Sequence, residues 1–197
     1  MAALRIWGRL EARARGAVWI GSQGTVLQQN LADCGPAALA SLMLLRGRVP
    51  PPLQRLRLEA GTNARGTRAL DLVRTAASHG LDLRIQRRSP GQLDPTRPVI
   101  AWVRPEHFVV VAALPESDRW LLIDPLTGAW QVGPDRLAEL WTGVVLEPTE
   151  SQPQGHDHRP DPTLLSSISG GVPCRTLASS LAPLPCFSPR RSSRGRP

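Results

Sequence analysis

Cys34 stands in the run Gln28-Gln29-Asn30-Leu31-Ala32-Asp33-Cys34-Gly35-Pro36-Ala37, and Glu106-His107-Phe108 and Ile123-Asp124-Pro125 follow downstream. A cysteine, a histidine and an aspartate in that chain order supply a nucleophile, a general base and a group that orients the base. The thiolate is the reactive form, and peptide dipoles and unpaired N–H groups at a helix N-terminus favour it. Gly35 is expected to clear a path for an incoming peptide. A lone cysteine is otherwise a small buried hydrophobe. The Asp33-Cys34-Gly35-Pro36 context, at the start of an apolar helical run, argues for chemistry instead.

His107 opens the apolar run His-Phe-Val-Val-Val, which sets its ring at a strand entrance, held firmly yet within reach. An imidazole there can pair with a thiolate and later protonate a leaving amine. The remaining histidines are poorer candidates: His79 ends a helix, and His156 and His158 lie near the C-terminus. Asp124 ends a β-rich run before Pro125, where a carboxylate can orient an imidazole through its Nδ1–H; Asp-Pro is equally an ordinary turn signal. Gln28 or its neighbour Gln29 offers a side-chain amide to a developing oxyanion, beside the backbone N–H of Cys34. Residue type alone does not separate the two.

These residues need a helix to carry the cysteine and strands to carry the other two. The sequence predicts a helix over Cys34–Arg46, with Pro36 in its first turn and Gly47 at its stop. The Pro50-Pro51-Pro52 break and a shorter helix with Leu53, Leu56 and Leu58 follow. A third helix is expected after Gly66-Thr67, capped by Thr67 and closed by His79-Gly80. From Leu81 the period becomes extended, with strands expected at 81–85, 99–103, 107–114, 120–123, 129–132 and 144–146, and a short helix at 134–141. Helices first and a mostly antiparallel sheet afterwards means an α+β fold. Residues 1–17 read as an N-terminal extension with Leu4, Trp7, Leu10 and Ala14 along one helical stripe. They are expected to be a frayed leader segment, a helix packed on the domain, or an amphipathic helix resting on a membrane surface. Residues 18–148 form the domain, and 149–197 read as a disordered Pro-, Ser- and Arg-rich tail.

Composition narrows the function. All the basic residues are arginine, and the net charge is +8. The two ends, 1–20 and 149–197, each carry +3 of it, so only about +2 remains on the middle. No arginine-rich strip interleaved with aromatics occurs there, which argues against nucleic-acid binding despite a pI near 11.3. Cys34, Cys174 and Cys186 include no CxxC pair, so neither a disulfide framework nor a zinc site is expected. No apolar run reaches the roughly 18 residues of a transmembrane helix. No secretory signal follows the early arginines. The expected setting is a reducing cytoplasm, where a free thiol persists.

Gln28-x4-Asp33-Cys34-Gly35, Gly66-Thr67, His107-Phe108-Val109-Val110, Asp124-Pro125-x2-Gly128 and Trp141-x-Gly143 occur in order along the chain. Together they resemble the bacteriocin-processing, double-glycine leader peptidases, cysteine-peptidase family thirty-nine, over roughly residues 18–148. The resemblance implies a papain-like fold with Cys34 as nucleophile, His107 as base and acid, Asp124 as orienting residue and Gln28, not Gln29, as oxyanion donor. It implies no metal or cofactor. The implied substrate is a precursor peptide whose leader is removed after a Gly-Gly or Gly-Ala pair, often by a peptidase fused to an ABC exporter. This chain shows no phosphate-binding loop. The expectation is a peptidase that works alone or beside a separately encoded exporter at the cytoplasmic face of the membrane. The alternative is a module that binds a leader or docks on a transporter with little or no proteolysis.

Overall fold

The computed structural model describes residues 1–22, 24–114, 117–149 and 169–170. Five helices, α1 (Ala2–Ala14), α2 (Cys34–Leu45), α3 (Leu53–Glu59), α4 (Ala69–Ser78) and α5 (Pro134–Leu140), accompany nine strands among these residues. The strands are β1 (Val18–Gly21), β2 (Thr67–Arg68), β3 (Leu83–Arg87), β4 (Val99–Val103), β5 (His107–Ala113), β6 (Trp120–Asp124), β7 (Gly128–Val132), β8 (Trp141–Pro148) and β9 (Ser169–Gly170). Seven of them form one antiparallel sheet in the order β1-β7-β6-β5-β4-β8-β3, and β2 pairs with β9. The architecture is α+β, helices against a mostly antiparallel sheet.

The central strands are apolar on both faces because both faces are covered. Ile100, Phe108, Val110, Ile123 and Leu146 point into one cluster with Leu39, Leu42, Leu56 and Leu72 of the helices. Val99, Ala101, Val109, Val111, Leu122, Trp130 and Val145 form a second cluster on the opposite face, with Leu137 of α5. Successive residues of a strand alternate between the clusters, as the period of two requires. α2 lies in the first layer and is buried at every residue from Cys34 to Met43. A helix covered on all sides has no polar stripe, hence its uniformly apolar sequence. It ends where Gly47 takes φ +69°, a left-handed turn that glycine enters without a Cβ penalty.

Two expectations change in detail, and a third is decided between its alternatives. Thr67 does not cap α4: the N-cap is Arg68, and Thr67 sits in β2, its hydroxyl 2.7 Å from that of Thr62. Residues 1–17 hold a helix, α1, fastened by Arg5, whose Nη2 donates to the Gln28 carbonyl (2.7 Å), and by Arg9, whose Nε donates to the Thr127 carbonyl (2.9 Å). Its Ile6, Trp7 and Leu10 remain exposed while Ala12 packs against the second cluster, so the arginine hydrogen bonds add to a small apolar contact. Most of the segment 149–197 lies outside the described residues. Within it, Ser169–Gly170 pairs as a strand, because β2 offers an open edge and a glycine fits against the Phe108 ring.

Candidate active site

β5 and β6 run antiparallel, and the register Val110↔Ile123 sets Asp124 opposite Val109, two residues from His107 on the same face. Diagonal neighbours of this kind are within reach of long side chains. The His107 ring Nε2 lies 2.8 Å from Asp124 Oδ1. The sequence expectation had the carboxylate on Nδ1; the structure puts it on Nε2, because the ring at the strand entrance presents that nitrogen to the neighbouring strand's end. Nδ1 is buried without a close hydrogen-bond partner and is the nitrogen left to meet the Cys34 sulfur, whose charge acts on the ring.

Asp124 is itself fixed by the turn it opens. The Leu126 N–H donates to Oδ1 (2.8 Å) and the Thr127 hydroxyl to Oδ2 (2.6 Å). The Trp130 indole N–H donates to the Thr127 hydroxyl oxygen (2.9 Å), extending the chain of bonds into the second cluster. Burial alone would push His107 down, but the charges of Asp124 and Cys34 and the hydrogen bond to Asp124 outweigh it and raise the imidazole to about 10. Burial would push Asp124 up; the His107 charge and the three hydrogen bonds hold it below its ordinary value. The pair is an imidazolium and a carboxylate at neutral pH.

Cys34 is the first residue of α2, fully buried and free of any disulfide. Its loop is held by Asp33, a carboxylate with no exposed surface. Asp33 Oδ2 accepts from the Asn30 backbone N–H (2.9 Å) and from Asn30 Nδ2 (3.1 Å). Its Oδ1 lies 2.6 Å from Arg57 Nε of α3, an ion pair held by charge and not by an aligned N–H. Gly35 does something other than clear a path for substrate. A Cβ there would come 3.0 Å from Leu72 Cδ1 and 3.1 Å from Thr67 Cβ, so glycine lets α2 pack on α4 and β2.

Gln28 is fully buried in the same loop. Its backbone N–H donates to the Pro125 carbonyl (2.8 Å), tying the loop to the turn after Asp124. Its Nε2 donates one hydrogen to the Asn30 carbonyl (2.9 Å), leaving a second donor hydrogen on that nitrogen, while Oε1 has no partner. Trp141 and Gly143 serve architecture: the Trp141 indole N–H donates to the Arg88 carbonyl and the Arg88 N–H to the Gly143 carbonyl (both 2.8 Å). The structure thus gathers His107 and Asp124 by a direct bond, Cys34 by its charge on the ring, and Gln28 through the Pro125 link.

Sequence reasoning missed Asn30, Arg57, Thr127 and Trp130. Thr127 had a signal, since Asp-x-x-Thr is a turn in which the carboxylate binds the backbone and hydroxyl that follow. Arg57 had none, because nothing local connects it to Asp33. No group of three or more His, Cys, Asp or Glu suited to a metal occurs among the described residues. No helix among them is long and apolar enough to cross a membrane.

The fold resembles a double glycine motif protease from an AMS/PCAT transporter, solved in complex with its leader peptide, with TM-score 0.58, 25% identity and coverage of 68% of this chain and 98% of that one. It also resembles the peptidase domain of Streptococcus ComA, a bifunctional ABC transporter of a quorum-sensing pathway, with TM-score 0.54, 25% identity and coverage of 64% and 98%. In sequence, the chain is 28% identical to the lactococcin-G-processing and transport ATP-binding protein LagD of Lactococcus lactis subsp. lactis, over 79% of this chain and 22% of that protein. It thus spans about a fifth of the length of that relative. An uncharacterized protein of Methanothermobacter marburgensis is 33% identical over 65% of this chain and 89% of its own length. The model of the peptidase C39 family matches residues 22–153, and the chain belongs to that family.

Proposed function

We propose that this cysteine peptidase removes leader peptides from precursor peptides by cutting after a Gly-Gly junction. The observation that carries the reading is the His107–Asp124 bond, with the second ring nitrogen left to a cysteine at a helix N-terminus. In this mechanism the Cys34 thiolate attacks the scissile carbonyl carbon. The oxyanion rests on the Cys34 backbone N–H and the uncommitted Nε2 hydrogen of Gln28. The His107 imidazolium protonates the departing amine, leaving a thioester on Cys34. Water then attacks the thioester, with His107 taking its proton, and the cysteine is released. Asp124 keeps the ring oriented through both steps and favours its protonated form before attack and after hydrolysis. No step calls for a metal.

One similar structure is a protease from an AMS/PCAT transporter and another is the peptidase domain of an ABC transporter. We extend that association to this chain as a partner exporter at the cytoplasmic face of the membrane. The test is cleavage of synthetic Gly-Gly leader precursors, read by mass spectrometry. Wild type should give a single cut after Gly-Gly, and Cys34→Ala should lose at least about ten-thousand-fold in turnover with its fold retained. Saturable leader binding with no cut in either protein would replace the peptidase reading with that of a docking module.

A further inference from the structure

α1 lies N-terminal to residues 22–153, the stretch that the family model matches, yet it is fastened to both halves of the candidate site. Arg5 reaches the carbonyl of Gln28 in the cysteine loop. Arg9, one helical turn on, reaches the carbonyl of Thr127 in the turn that holds Asp124. Between them Gly8 rests on Thr127, where a Cβ would come 2.6 Å from Thr127 Cγ2. Thr127 has little room to turn, because it is buried and its hydroxyl is engaged by Asp124 and Trp130. The helix thus bridges the site along one half-buried stripe, Leu4, Arg5, Gly8, Arg9 and Ala12, while its other residues are exposed. Between α1 and the sheet is a cavity of about 760 Å³. Leu4, Trp7 and Ala12 contribute one wall, Val109, Leu122 and Trp130 the other, and His107 and Asp124 line it as well.

We propose that α1 is a removable lid on the cleft that leads to His107, and that a peptide substrate binds by displacing it with an apolar segment of its own. The inference rests on the peptidase reading above. Cys34 and Gln28 have no exposed surface, so a scissile carbonyl reaches them only after a neighbouring element moves. A peptide bond that takes its proton from His107 also brings its flanking residues beside the ring, and the apolar walls there are the surface that α1 spans. α1 is weakly held. None of its residues is buried, and Ile6 and Leu10 face solvent. Its ties are the two arginine hydrogen bonds, the Arg9 guanidinium 4.8 Å from the Trp19 ring centroid, an exposed Arg15–Glu139 ion pair and the small contacts of Gly8 and Ala12. Elements with few buried apolar contacts open locally while the core stays folded. A lid that competes with substrate weakens apparent binding by the fraction of molecules in which it is open and leaves the chemical step untouched.

The full chain is compared with Arg9→Ala and Gly8→Val in cleavage of a synthetic Gly-Gly precursor, and Cys34→Ala is used where turnover must be absent. Arg9→Ala removes one tie and should lower KM about twofold to tenfold. Gly8→Val drives α1 off Thr127 and should lower KM about tenfold, with kcat within about twofold of wild type in both variants. In Cys34→Ala, saturating precursor should make the backbone amides of α1 exchange with deuterium at least about tenfold faster. An unchanged KM in either variant, or α1 amides that exchange no faster with precursor bound, overturns the lid and leaves the peptidase reading standing. A fall in kcat at unchanged KM overturns it too, because α1 would then position the site and not cover it. If neither wild type nor any variant cuts the precursor, the peptidase reading falls and the lid falls with it.

Discussion

On the sheet side of the site, the groups that hold His107 come from one hairpin: Asp124 binds the ring, and Leu126 and Thr127, two and three residues on, bind the carboxylate. On the helix side, the groups that hold the cysteine loop come from separate parts of the chain. Arg57 of α3 pairs with Asp33, the Pro125 carbonyl takes the Gln28 N–H, and Arg5 of α1 reaches the Gln28 carbonyl. A hairpin that orients its own carboxylate keeps that geometry as long as the hairpin forms. A loop anchored by distant partners is only as well placed as the packing of those partners. The His107–Asp124 pair is therefore a local device and the position of Cys34 a tertiary one.

If that contrast holds, damage to the sheet side should appear mainly in activity and damage to the helix side mainly in stability. The largest effect is expected from Asp124→Ala. The ring would lose its orientation and its counter-charge, and kcat/KM on a Gly-Gly precursor should fall by roughly a hundredfold to ten-thousand-fold. A loss confined to stability, with normal turnover in the folded fraction, would break the comparison.

Arg57→Met probes the other side. It leaves Asp33 buried with only the Asn30 donors, and removing one partner of a buried pair costs about 3–5 kcal/mol. Arg57 keeps part of its surface in solvent, so the lower figure is expected in denaturant unfolding. Adding Asp33→Asn to that variant should recover part of the loss by removing the unpaired charge.

The sheet-side pair also carries a share of stability that depends on pH, and this bounds the contrast. His107 is raised from 6.5 to about 10, so its contribution is complete below about pH 6.5 and is lost as pH rises through about 10. Asp124 is lowered, so its contribution is present above the ordinary carboxylate range and fades as acid protonates it in the folded state. Unfolding free energy should decline between pH 6.5 and 10 in wild type and stay flat over that window in His107→Gln. The smallest effect belongs to Arg5→Ala. One partly exposed hydrogen bond to the Gln28 carbonyl is worth about 0.5–1.5 kcal/mol, and turnover should hardly change.

Cys34, His107 and Asp124 were legible because each sits at an element boundary marked by local residue types. Pro36 and the apolar run after it announced the helix start, and the β-rich apolar runs of His107–Ala113 and Trp120–Asp124, bounded by turn residues, announced the strands. The nitrogen that meets Asp124 was not legible, since it follows from how the ring sits at the strand entrance. The role of Gly35 was misjudged for the same kind of reason. Its neighbours Leu72 and Thr67 arrive only when α4 and β2 pack on α2.

The sequence by itself determined the candidate residues at the element boundaries and the α+β order in which helices and strands come. Periodicity, caps and turn residues act over a few positions, and one chain records them directly. The tertiary structure alone decided that Arg57 holds Asp33, that α1 is fastened to the carbonyls of Gln28 and Thr127, and that Ser169–Gly170 lies along β2 under Phe108. Those contacts join residues with no local signal toward one another. They form because buried charges need partners, open strand edges need pairing, and only a glycine fits against a fully buried ring.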